Sequence, residues 1–151
     1  MKISVDDLSG RDIAEFLAAH VQEMRSITPL ESKHALDLDA LRVPDVTFWT
    51  ARDAGTLVGC GAIKRIEAGH AEIKSMRTEP ARKRSGVASK LLAHIISEAR
   101  RMGYLRLSLE TGSTEFFAPA RALYEKFDFT YCAPFADYKE DPNSAFMTRL
   151  L

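Results

Sequence analysis

The chain has 151 residues, 21 basic and 21 acidic side chains, a formal net charge of zero, 46% apolar residues and 28% charged ones. That length suits a single domain over residues 1–151, and that apolar fraction builds a core, which excludes a disordered chain. The charge balance argues against a protein that coats nucleic acid or an anionic membrane. Cys60 and Cys132 have no CxxC partner or His/Cys cluster, too little for a disulfide scaffold or a structural zinc site. No apolar run approaches the ~20 residues that span a bilayer. The opening "MKISVDDLSGRD" turns acidic where a signal peptide is apolar, so cytoplasmic residence is the expectation.

Lys2 to Val5 alternates polar and apolar residues, as a first strand does. A helix follows from about Arg11 to Arg25, with Ile13, Phe16, Leu17, Val21 and Met24 on its apolar stripe. Thr28-Pro29 ends it, because the residue before proline avoids the helical region. A shorter helical segment is expected between Glu31 and Leu41. From Val46 the texture is that of three consecutive antiparallel strands, with turns at Asp53-Ala54-Gly55 and Ala68-Gly69. In the third, Ile73 and Met76 are three positions apart. Strict alternation cannot put both on one face, so a bulge is expected between Lys74 and Arg77.

Gly86 through Met102 carries the strongest helical stripe, and Gly103 stops it. "YLRLSLE" then alternates Leu105, Leu107 and Leu109 against polar residues, a half-buried strand. "STEFFAPARALYEKF" forms a second helix whose regular part follows Pro119. "FTYCAPF" and "SAFMTRL" close the chain as strands. The order β-α-(α)-βββ-α-β-α-β-β describes a mixed α/β domain on one sheet.

Chemistry concentrates first in "EPARKRSGVASKLL". A strand ends, Arg82, Lys83 and Arg84 follow, and Ser85-Gly86 opens the long helix. Free amides at a helix start accept phosphate, and Gly86 with the small Ala88 lets phosphate oxygens approach the backbone. A solvated loop before a helix accounts for the same residues. Neither the dinucleotide fingerprint nor the P-loop fits. Arg82 to Arg84, with no adjoining aromatic platform, do not make a nucleic-acid site.

The stretch Lys83-Arg84-Ser85-Gly86-Val87-Ala88 resembles motif A of the GNAT N-acetyltransferases, usually Arg/Gln-x-x-Gly-x-Gly/Ala. "ARALYEKFDF" is similar to the family's later Asn-x-x-Ala-x-x-Leu-Tyr-x-x-x-Gly-Phe segment, through Phe117, Ala120, Leu123, Tyr124, Asp128 and Phe129. Lys83 stands where Arg or Gln is usual, Phe117 where Asn is common, and Asp128 where the family has glycine. The resemblance implies the acyl-CoA N-acyltransferase fold, a central, mostly antiparallel sheet splayed near strand 4 and flanked by helices. It implies acetyl-CoA as cosubstrate and no metal. The pyrophosphate would lie on the amides from about Arg84 to Ser89, through Ser85, Gly86, Val87 and Ala88. The pantetheine arm would run beside Met76 and Arg77, where a backbone N–H would polarise the thioester. It also makes Tyr124 the proton donor, although Phe117, Ala120, Tyr124 and Phe127 share the spacing of a core stripe.

An amine acceptor must lose a proton before it attacks. Glu72, on the motif strand, is the candidate base, with surface placement as the alternative and Glu110 in reserve. His20, His34, His70 and His94 are expected to be structural or solvent-facing, His70 in a turn. Phe135, Asp137 and Tyr138 lie between the closing strands, where they form one wall of an acceptor pocket or pack on a dimer mate. Arg25 and Glu31, after the first helix, form the other wall. The expected activity is acetyl transfer to a primary amine of a small molecule or peptide, with no nucleic-acid or membrane partner and a homodimer as the assembly. A non-catalytic acyl-CoA sensor and a phosphate-binding structural domain are the rival readings.

Overall fold

The computed structural model describes residues 1–27 and 38–151. Its strands are β1 (Lys2–Val5), β2 (Val46–Asp53), β3 (Thr56–Glu67), β4 (His70–Thr78), β5 (Arg106–Gly112), β6 (Thr130–Tyr131) and β7 (Ser144–Leu150). The helices are α1 (Arg11–Ile27), α2 (Leu38–Leu41), α3 (Val87–Arg101) and α4 (Ala118–Lys126). The strands form one sheet in the order β1-β2-β3-β4-β5-β7-β6. All neighbouring pairs are antiparallel except β4 and β5, which α3 connects in parallel.

Local chemistry explains the hairpins. β2 turns into β3 through Ala54 and Gly55, both at positive φ (50° and 85°), the conformation a tight two-residue turn requires. The second hairpin pairs Glu67 with His70 across Ala68-Gly69. His70 is therefore a strand residue rather than a turn residue, and its Nε2 lies 2.7 Å from Ser108 Oγ.

The two faces of the sheet carry separate cores. Ile13 and Leu17 of α1 pack with Phe48, Cys60 and Ala62 on one face. Leu92, Ile95, Ile96 and Ala99 of α3 pack with Trp49, Ile63, Ile73, Leu107 and Leu109 on the other. The helix α3 sits close because β3 presents glycine to it. A Cβ on Gly61 would come within 2.5 Å of Met76 Sδ and 2.8 Å of Ile95 Cδ1.

Three further expectations change. "FTYCAPF" yields only the two-residue β6, since the chain leaves the sheet after Cys132 donates its N–H to Phe146. Leu105 precedes β5 and is exposed, covering Gly69 instead of entering the core. The helix α1 continues to Ile27, past Arg25. Of the segment from Glu31 to Leu41, Leu38–Leu41 is helical, and Glu31 and His34 lie outside the described residues. Among the described residues no helix is long and apolar enough to cross a membrane.

Candidate active site

The site begins at a fault in β4. Lys74 pairs with Ala62 and Arg77 with Cys60, so Ser75 and Met76 together oppose the single residue Gly61. This is the expected bulge, with Ser75 at φ 56°. The Cys60 thiol donates to the Ser75 carbonyl at 3.2 Å, and burial pushes that thiol up to about 12, so it remains S–H at neutral pH. The extra residue puts Met76 on the α3 face with Ile73 and turns Arg77 to the α1 face.

Beside the bulge the sheet opens. Parallel pairing of β4 with β5 runs from His70↔Arg106 to Ile73↔Leu109 and stops. Both strands continue past that point without each other, β4 to Thr78 and β5 to Gly112. The wedge between them belongs to a cavity of about 600 Å³ lined from both faces of the sheet, a volume typical of small-molecule sites.

On the α3 face the cavity is lined by apolar side chains, Met76, Phe116, Leu123 and Tyr124 among them, and opens onto the backbone at the start of α3. Arg84 and Gly86 have φ of 67° and 88°, and nothing lies within 4 Å of a Cβ placed on Gly86. The first helical hydrogen bond is from Lys90 N–H to the Gly86 carbonyl, so the Val87, Ala88 and Ser89 amides have no intrahelical acceptor. The Ser85 amide and hydroxyl both donate to the Arg82 carbonyl, which removes Ser85 from the set of available donors. Of the three consecutive cations, Arg82 pairs with Asp53 at 2.8 Å and Lys83 lies over the Phe116 ring. Tyr124 lines the cavity from α4, its ring edge-on to Phe129. Burial, then the Glu110 charge, push its phenol up, so it remains O–H. Asp128 takes φ 68° and lets the Phe129 amide close α4 onto the Tyr124 carbonyl, so aspartate makes the turn glycine usually makes. The Phe117 ring occupies the space a Cβ at Gly112 would need.

On the α1 face the cavity is built of side-chain pairs. Glu72 is buried, accepts a 2.6 Å hydrogen bond from the Tyr138 hydroxyl and lies 3.1 Å from Lys74 Nζ. Burial, then the Glu72 charge, raise the Tyr138 phenol, so Tyr138 is the donor in that bond. Arg77 makes an ion pair with Glu23 at 3.2 Å and lies 3.3 Å from His20 Nδ1. Burial, then the Arg77 charge, lower His20 to about 4. The ring is neutral at pH 7, with Nδ1 as acceptor and the proton on Nε2.

The cavity thus gathers Glu72, Met76, Arg77, Lys83, Arg84, Gly86, Val87, Ala88, Ser89, Tyr124 and Tyr138. Arg25 and Asp137 are exposed and do not line it. Phe135 also stays outside, stacked edge-on against Tyr138 and Phe146. His20, Glu23 and Lys74 are site residues that position alone concealed. Helical spacing from Phe16 places His20 and Glu23 on the inward side of α1, and the two-residue period places Lys74 beside Glu72. Among the described residues no group of three His, Cys, Asp or Glu side chains is placed to hold a metal ion.

One open sheet, a bulged fourth strand and a helix start facing the opening define an acyl-CoA N-acyltransferase. The sequence matches the Acetyltransferase (GNAT) family over residues 13–129, and the chain belongs to that family. It is 54% identical over 151 residues to the uncharacterized N-acetyltransferase YsnE of Bacillus subtilis, covering 100% of both chains. It is 44% identical over 149 residues to the uncharacterized N-acetyltransferase YedL of Escherichia coli, covering 99% of this chain and 94% of that one. Among solved structures it superposes on an aminoglycoside 6′-N-acetyltransferase complexed with coenzyme A, with a TM-score of 0.73 at 16% identity over 99% of this chain and 97% of that one.

Proposed function

We propose that the protein transfers the acetyl group of acetyl-CoA to a primary amine of a small molecule or peptide by direct attack. The observation that carries this reading is the wedge between β4 and β5, which joins the open helix start at Gly86 to the buried Tyr124 and Glu72. The Val87, Ala88 and Ser89 amides, with Lys83 and Arg84 at the rim, suit the pyrophosphate. The unpaired edge of β4 past Ile73 suits the amide-bearing pantetheine arm, which would add to it as a strand does.

Acceptor and acetyl group then meet across the sheet. The ammonium loses a proton to Glu72 through water, and the amine nitrogen attacks the thioester carbon. The main-chain N–H at Met76 holds the developing oxyanion, since the Arg77 N–H is turned to the Cys60 sulfur. The C–S bond breaks, the departing sulfur takes the Tyr124 proton, and the nitrogen gives up its second proton to solvent, leaving CoA thiol and the neutral N-acetyl product. The phenolate is then reprotonated from solvent. Lys74 and Tyr138 keep the Glu72 carboxylate oriented.

Thiol release from acetyl-CoA over a panel of amines, with products identified by mass spectrometry, tests the reading. Turnover with a mass gain of one acetyl group on an amine supports it. Binding of acetyl-CoA without turnover on any amine would replace it with a sensor.

A further inference from the structure

We propose that the Arg77 side chain is a carboxylate-binding element of the acceptor pocket, and that the acceptor is therefore an amine that carries a carboxylate, of which an amino acid is the simplest case. This rests on the acetyl-transfer reading and specifies its second substrate.

The guanidinium is only half engaged. Its side chain is 8% exposed, lies over the Phe16 ring at 5.3 Å and lines the cavity. Both of its polar contacts, to Glu23 Oε1 and His20 Nδ1, are made by Nη1. Nε is the one buried side-chain nitrogen or oxygen without a hydrogen-bond partner among the described residues. Buried donors in folded proteins are almost always satisfied, so this orphan, on a residue that lines the cavity, marks the place of a missing acceptor. Nε–H and the Nη2–H beside it point the same way along one edge of the planar fork. That edge takes a carboxylate through two parallel hydrogen bonds.

The surrounding charges select a zwitterion. Glu23 balances Arg77, Glu72 balances Lys74, and His20 is neutral. On the α1 face, away from Arg82, Lys83 and Arg84 at the start of α3, a carboxylate without an ammonium would add negative charge near Glu110, which also lines the cavity. An amino acid brings its own ammonium, which the Glu72 and Glu110 carboxylates on the same sheet face favour. Position agrees. Arg77 stands just beyond the bulge on the α1 face, so a carboxylate held there puts an amine a few bonds away beside the open edge of β4.

The test compares matched acceptors on the whole protein. Amino acids, their amides and their decarboxylated amines are assayed with acetyl-CoA for kcat and KM. The acids should exceed both partners at least about 100-fold in kcat/KM, mostly through KM. Arg77→Lys keeps the charge and loses the fork, and should cut that preference to about tenfold or less. Arg77→Gln should erase it. If Arg77→Gln fails to fold, Arg77→Lys decides alone. Equal turnover of amides and acids by the unaltered enzyme, or a preference that survives both variants, overturns the proposal while leaving acetyl transfer intact. If acetyl-CoA binds but no amine turns over, it is the acetyl-transfer reading that fails. Thermal unfolding with CoA plus each amino acid or its amide then still decides the site: stabilisation by the acids alone, lost in Arg77→Lys, supports it, and equal or absent stabilisation overturns it.

Discussion

The two walls of the cavity are made of different material. Toward α3 the groups proposed to hold the cosubstrate are main-chain amides, an open glycine and the bare edge of a strand, set beside the side chains of Met76, Phe116 and Tyr124. Toward α1 they are side chains held in pairs, Glu72 with Lys74 and Tyr138, and Arg77 with Glu23 and His20. A backbone wall depends on conformation and tolerates many side chains, provided the few positions that set the conformation are kept. A side-chain wall depends on every partner, because removing one leaves a buried charge or donor behind. The first wall suits a cosubstrate of constant shape, and the second suits an acceptor that differs from enzyme to enzyme.

The largest effect should come from breaking the backbone wall at its most open point. Gly86→Glu puts a carboxylate where phosphate is expected, at φ 88°. Nothing obstructs the new Cβ, so the folding cost should be confined to left-handed strain of about 1–2 kcal/mol. Acetyl-CoA affinity, measured by calorimetric titration, should fall about 1,000-fold, roughly 4 kcal/mol. Affinity within threefold of the unaltered protein would remove the phosphate site from this helix start.

The paired wall should break differently, in stability before binding. Glu72→Gln leaves Lys74 buried without its counter-charge, which should cost about 3 kcal/mol in urea unfolding. Adding Lys74→Met should restore most of that loss while turnover remains low. A double variant that recovers both stability and turnover would make Glu72 structural and end its role as the base.

This contrast also sets what could be read from the chain alone. The backbone wall is written locally. Glycine at 86, small Ala88 and three basic residues before a helical stripe are enough to suggest phosphate, and the Ile73–Met76 spacing points to the bulge because period-two alternation would otherwise leave Met76 on the opposite face from Ile73. Asp128 keeps its turn for an equally local reason, the tolerance of aspartate for positive φ. The side-chain wall is assembled from α1, β4 and the segment before β7, and no local pattern says that Tyr138 meets Glu72 across 66 positions. Asp137 and Arg25 fail as wall residues for the same reason. Each is one position from a cavity-lining neighbour, Tyr138 and Met24, and a single step along a helix or loop turns a side chain outward.

Tyr124 sits where the walls join, and its removal separates chemistry from binding. Tyr124→Phe keeps the ring against Phe129 and deletes only the hydroxyl proposed as proton donor. Turnover should fall about 100-fold, the lower range for a general acid. Acetyl-CoA affinity should hold, and stability should change by less than about 1 kcal/mol. Unchanged turnover would show that the thiolate leaves without help from this phenol.

The smallest effect is a pH dependence that belongs to the paired wall alone. His20 is lowered from 6.5 to about 4 in the folded protein, first by burial and then by Arg77, with Glu23 opposing. As pH falls below 6.5 the unfolded chain gains this proton while the folded one refuses it, so folding stability declines through that window and levels near pH 4. The full shift corresponds to at most about 3 kcal/mol, and the partly solvated ring should show about 1–2 kcal/mol of it. Carboxylates contribute acid instability of their own, so the readout is a difference: urea unfolding of the unaltered protein against His20→Gln from pH 7 to pH 4. The two stabilities should converge as the pH falls, because glutamine does not titrate. Parallel curves across that range would mean His20 protonates in place without penalty. In that case Arg77 Nη1 would lose its acceptor well above pH 4, and the paired wall would be less closely packed than the Glu23–Arg77–His20 distances require.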